Sequence, residues 1–149
     1  MNVLVYTFRT FPHVAELQEL FSDVVILGPL KKDILSLKEH LKEHQPRMIL
    51  GVAYAPQGAS RFEPVAINRF HTKGVVVPGG PRELSLHLPD TAQSVFVAAS
   101  KPTDSFCNYS MYSVAEFLVE EGIEVPFAFV HIRREDISEL ASIMYEYQA

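Results

Sequence analysis

Along this chain, short β-rich apolar runs alternate with amphipathic stretches of helical period. NVLVYTF (2–8) is the kind of run that forms a buried strand. Pro12 suits a helix start, and Val14, Leu17, Leu20 and Phe21 fall on one face of the helix that would follow. DVVILG (23–28) reads as a second buried strand closed by Gly-Pro, and Asp33 is placed to cap a helix with the stripe Ile34, Leu37 and Leu41. RMILGVAY (47–54) predicts a third strand. Residues 55–93 are punctuated by Pro and Gly, with short candidate strands at PVAI (64–67) and GVVV (74–77). SVFVAAS (94–100) predicts a strand. A helix follows from about Cys107 to Glu121, with Met111, Val114, Ala115 and Leu118 inward and Gly122 as its stop. PFAFVHI (126–132) is another buried strand, and a last helix carries Ile137, Leu140, Ala141 and Met144 on one face. Such alternation predicts a three-layer α/β/α domain over 1–149: a mostly parallel twisted sheet with helices on both faces.

Composition narrows the function classes. The 149 residues suffice for one domain with a substantial core, and 48% of them are hydrophobic. A net charge of −5 without a basic stripe argues against nucleic acid as a partner. No apolar run approaches a membrane span, and residues 1–12 lack the layout of a signal peptide. The single cysteine cannot form an internal disulfide, so the expected setting is cytoplasmic. No dinucleotide or phosphate-loop pattern is present, and no cofactor is expected. HLKEH (40–44) fits a zinc-peptidase pattern, but His40 and His44 lie on a charged helix face with no evident third ligand. A solvated surface is the expectation there, and no metal is assigned.

The cysteine is the residue to explain. In a parallel α/β fold, ligands bind beyond the carboxyl ends of the strands, where loops enter helices. Cys107 stands in such a place, at a helix start, where the helix field favours a thiolate and lowers its pKa. His131 stands near the carboxyl end of the next strand, so the two groups meet if those strands are neighbours. The residues alone leave two readings open. Cys107 is either a small buried hydrophobe or a nucleophile with His131 as its base.

The wording around these positions resembles one family, the pyroglutamyl (pyrrolidone-carboxylate) peptidases. CNYSMY (107–112) is similar to that family's active-site segment, in which a nucleophilic Cys-Asn opens a helix. EPVAIN (63–68) resembles its Glu-Arg-Val-Ala-Ile-Asn segment, and FVHI (129–132) the segment with its catalytic His. GGPRELSLHLP (79–89) and TFRTF (7–11) match further segments in the same order. The resemblance implies a cysteine omega-peptidase with a Glu63, Cys107, His131 triad. It also implies a pocket in which Phe8 and Phe11 clamp a flat lactam ring. The expected partner is a peptide or small amide substrate, and both the resemblance and the apolar composition are compatible with a homo-oligomer.

The departures fall around the substrate rather than in the triad. Family chains are usually longer, which implies missing loops at the substrate site. Pro12-His13 stands where Gly-Gly is usual, Pro64 where an Arg follows the Glu, and Arg133 where a Pro follows the His. Leu86-His87 and Thr103-Asp104 also depart from the pattern. Two functions are therefore carried forward. One is a cysteine amidohydrolase that removes N-terminal pyroglutamate, or a cysteine amidase with another substrate. The other is a non-catalytic module that binds a small molecule or a partner on the same fold.

Overall fold

The computed structural model describes residues 3–71, 74–90, 96–103 and 105–147. Its main sheet has six strands in the order β2-β1-β3-β8-β4-β7. These are β1 (Val3–Phe8), β2 (Val24–Leu27), β3 (Met48–Tyr54), β4 (Arg61–Phe62), β7 (Val97–Ala98) and β8 (Phe127–Ile132). A separate antiparallel pair joins β5 (Val65–Ile67) to β6 (Glu83–Ser85). The helices are α1 (Val14–Leu20), α2 (Leu30–Glu43), α3 (Phe106–Glu121) and α4 (Ile137–Ile143).

The central strands are apolar on both faces because each face is covered. Leu4, Tyr6, Phe8 and Phe129 pack with Ile34 and Leu41 of α2 and with Met111 and Val114 of α3. Val3, Val5, Leu50 and Val52 pack on the other side with Leu17 of α1 and Leu140 of α4. Removing each such side chain from water is worth about 1.5–3 kcal/mol, which opposes the entropy cost of ordering the chain. Gly51 sits at the tightest point of the first core: a Cβ there would overlap the Phe129 ring and come 2.7 Å from Tyr6 Cζ. α3 stops where expected, at Gly122, whose φ of 66° is left-handed. The predicted three-layer, mostly parallel architecture is the one observed.

Several local expectations change. β2 is an edge strand with Ile26 exposed, not a fully buried one. Leu20 is exposed, while Leu17 and Phe21 carry the inward face of the first helix. α2 begins at Leu30 with Pro29 as its cap, and Asp33 instead accepts the Gly28 N–H at 2.6 Å. GVVV forms no strand; the Val76 and Val77 N–H groups donate to Asn68 Oδ1 at 2.8 and 2.9 Å. The strand expected over 94–100 shrinks to Val97–Ala98, an exposed edge, and residues 94 and 95 lie outside the described residues.

One difference bears on the site. β7, the strand before the cysteine helix, does not neighbour β8. The two-residue β4 lies between them, parallel to β7 and antiparallel to β8. Pro and Gly punctuation hides so short a strand from any periodicity.

Candidate active site

Cys107 is the second residue of α3, at the carboxyl-terminal edge of the sheet. Ser105 caps the helix in extended backbone, and its N–H and hydroxyl bond Thr103 Oγ1 at 3.2 and 2.9 Å. One turn into the helix, Ser110 Oγ donates to the Cys107 carbonyl at 2.7 Å. Having spent its proton there, Ser110 accepts from the Tyr6 hydroxyl at 2.8 Å. A chain of bonds thus ties the cysteine's backbone to the central strand.

The rest of the CNYSMY segment fastens α3 to the irregular middle of the chain. Asn108 Oδ1 accepts the Ile67 N–H at 2.9 Å, and its Nδ2 donates to the carbonyls of Ile67 and Arg69 at 2.8 Å each. The Tyr112 hydroxyl donates to the Pro81 carbonyl at 2.6 Å. Asn68 organises the loop from within, donating to the carbonyls of Val77 and Gly80. Beyond the short β5–β6 ladder, these side-chain bonds tie the described residues of this loop together.

His131 occupies the fifth position of β8, opposite Ala53 of β3 and Arg61 of β4. Glu63 follows β4 directly, and its N–H bonds the Phe129 carbonyl at 2.9 Å. Its side chain is 3% exposed, and Oε2 lies 3.0 Å from His131 Nδ1. A carboxylate accepts, so Nδ1 donates and Nε2 is left free for another partner. Glu63 Oε1 is buried and has no hydrogen-bond partner among the described residues.

Cys107 and His131 line one pocket of about 240 Å³. Four aromatic residues, Phe8, Phe11, Tyr54 and Phe106, share its wall with Thr10, Ala53 and Pro56. Phe8 and Phe106 meet edge to face with ring centroids 4.9 Å apart. The two expected phenylalanines come from opposite layers: Phe8 belongs to the core under α3, Phe11 to the core under α4. Phe106 and Tyr54 join the site without having been marked by any motif. Both are aromatic residues at the ends of elements that abut the site, and that position was the available signal.

Two expectations about Cys107 need correction. No hydrogen bond joins it to His131 among the described residues, although both face the same space. Nor is its thiol poised as a thiolate. Burial pushes its pKa up to about 12, and the Glu63 carboxylate adds to the rise. Ser105 and Arg61 act in the opposite sense without matching it. The helix start is there, but Cys107 is only 5% exposed, and desolvation is the largest influence on its thiol.

A larger cleft, of about 670 Å³, lies at the other end of β8, between Leu84, Ala115, Leu118, Val125 and Phe127. It holds no cysteine, and its histidine, His87, bonds the Tyr147 hydroxyl at 2.9 Å. The chemistry-bearing groups therefore gather in the smaller pocket. His40 on α2 and His44 at its C-cap are exposed, as expected, with ring centroids 5.2 Å apart. Among the described residues no group of three or more His, Cys, Asp or Glu could hold a metal ion. No helix among them is long and apolar enough to cross a membrane.

No protein-family model matches this chain, and no curated protein does. Solved structures do. Pyrrolidone carboxyl peptidase from Thermococcus litoralis superposes with a TM-score of 0.80 at 16% identity, over 99% of this chain and 94% of that one. A variant of the pyrrolidone carboxyl peptidase of the hyperthermophile Pyrococcus furiosus gives 0.76 at 18% identity, over 99% and 98%. Pyroglutamyl peptidase I from Bacillus amyloliquefaciens gives 0.72 at 18%, over 98% and 92%. The resemblance read from short motifs is thus matched in three dimensions along almost the whole chain, which has the α/β fold of the pyrrolidone carboxyl peptidases.

Proposed function

We propose that this protein is a cysteine amidohydrolase that removes an N-terminal pyroglutamyl residue from peptides. The observation that carries the reading is the Glu63–His131 bond of 3.0 Å beside a pocket that His131 shares with Cys107. A base oriented by a buried carboxylate next to a lone cysteine is the arrangement that nucleophilic acyl transfer requires.

Because the resting thiol is neutral, its proton must leave as the S–C bond forms. His131 Nε2 takes that proton while Sγ attacks the amide carbonyl, and Glu63 stabilises the resulting imidazolium. The first N–H groups of α3 lack intrahelical partners and suit the developing oxyanion. The imidazolium then protonates the nitrogen of the breaking C–N bond, and the amine departs. Water, deprotonated by His131, hydrolyses the thioester and restores the thiol. Phe8, Phe11 and Phe106 give the acyl group uncharged flat walls, which suit a lactam and disfavour glutamate.

The neutral thiol and its missing bond to His131 favour a second reading, a binding module with an idle triad. Turnover decides between them. Wild-type protein should release aniline from a pyroglutamyl anilide, and Cys107→Ala should not. A pocket that binds the anilide without cleaving it would establish the second reading.

A further inference from the structure

Side chains alternate along β4, so Arg61 and Glu63 share one face of the sheet while Phe62 enters the opposite core. The antiparallel register sets Arg61 directly across from His131, on the face where Cys107 packs with Phe8 and Phe129. Its charge reaches the thiol, acting in the sense that favours a thiolate.

Among the described residues, the carboxylates of the neighbouring segments have partners other than Arg61. Glu63 accepts from His131, Asp136 accepts from Ser60 at 2.6 Å, and Glu135 pairs with Arg133. Arg61 makes no ion pair among the described residues, and its guanidinium reaches the Ala59 carbonyl only at 3.4 Å. It is partly exposed, so an incoming group can meet it.

Strand order gives this cation a side. The aromatic pocket is built at the ends of β1 and β3, His131 comes from β8, and Arg61 from the strand beyond. The pocket and Arg61 therefore lie on opposite sides of His131 along the sheet. An acyl group held in the pocket directs its leaving amine toward β4. We propose that Arg61 is a specificity residue for the leaving group, selecting amines that carry a carboxylate next to the scissile amide, as a free amino acid does. The preferred substrates are then pyroglutamyl dipeptides with a free carboxyl end. This inference rests on the amidohydrolase reading given above.

The test compares kcat/KM for pyroglutamyl-alanine and pyroglutamyl-alaninamide, which differ only in that carboxylate. Wild-type protein should prefer the acid by about tenfold, the size of one charge-assisted hydrogen bond. Rising ionic strength, to about 0.5 M, should shrink the preference. In Arg61→Gln the ratio should fall close to one, and in Arg61→Lys it should largely survive. Equal cleavage of both substrates by wild-type protein, or a preference that persists in Arg61→Gln, overturns the role of Arg61 and leaves the amidohydrolase reading intact. Cleavage of neither substrate, nor of the anilide, overturns that reading and this inference with it. Should Arg61→Gln fail to fold, the wild-type preference and its salt dependence still decide.

Discussion

Glu63 Oε2 meets His131 Nδ1 at 3.0 Å across the antiparallel seam of an otherwise parallel sheet. β4 is only two residues long, and its antiparallel register sets Glu63 beside Phe129, two residues before His131, so that the carboxylate reaches the imidazole diagonally. A buried carboxylate bonded this way fixes the tautomer and compensates the charge that His131 acquires as a base.

Glu63→Gln keeps the shape and removes the charge. It should lower kcat for pyroglutamyl anilide hydrolysis by about 10²-fold or more while the thermal midpoint stays near wild type. His131→Ala should lose at least as much. Activity within a few-fold of wild type in Glu63→Gln would remove Glu63 from the mechanism.

The thiol makes a prediction about pH. In the unfolded chain Cys107 titrates near its ordinary value of 9.0, and in the fold near 12. Between these values the native state binds more protons than the unfolded state, so stability falls as pH rises through that window. Below pH 8 the buried, neutral sulfur should react with iodoacetamide at least about tenfold more slowly than in urea-unfolded protein. Fast alkylation of the folded protein below pH 8 would instead mean a thiolate–imidazolium pair at rest.

The pocket predicts selectivity. A pyroglutamyl anilide should be cleaved and the prolyl anilide should not, because a site that bonds the lactam carbonyl rejects the ring that lacks it. Phe11→Ala should impair cleavage. Phe8 and Phe11 are both also core, so Phe8→Leu and Phe11→Leu are the cleaner probes, since truncation to Ala would cost about 3–5 kcal/mol in stability. Comparable cleavage of both anilides would point to a looser amidase.

Asn108 makes a structural prediction. Its side chain completes three hydrogen bonds to the Ile67 and Arg69 backbone and is fully buried. Asn108→Ala leaves those groups without partners and should destabilise the protein by about 3 kcal/mol, or about 6–12 °C in Tm. A Tm shift below about 2 °C would show that water replaces the side chain at no cost.

The sequence by itself determined the layers. β1, β3 and β8 are apolar on both faces, and only central strands covered by helices on each side can bury such runs. The stripe of α2 and the Gly122 stop of α3 were legible for the same local reason, a period and a backbone preference carried by neighbouring residues. Motif order likewise marked Glu63, Cys107, His131, Phe8 and Phe11 before any geometry was known. Tertiary structure decided what depends on distant partners. The insertion of β4 between β7 and β8 is a matter of pairing energy over two residues, too short to leave a pattern, and it alone brings Glu63 to His131. The middle segment is ordered by Asn68, Asn108 and Tyr112, whose bonds to remote backbone have no periodic trace. The state of Cys107 was settled the same way. A helix start favours the thiolate locally, but Cys107 packs among β1, α3 and β8, and that burial raises its pKa.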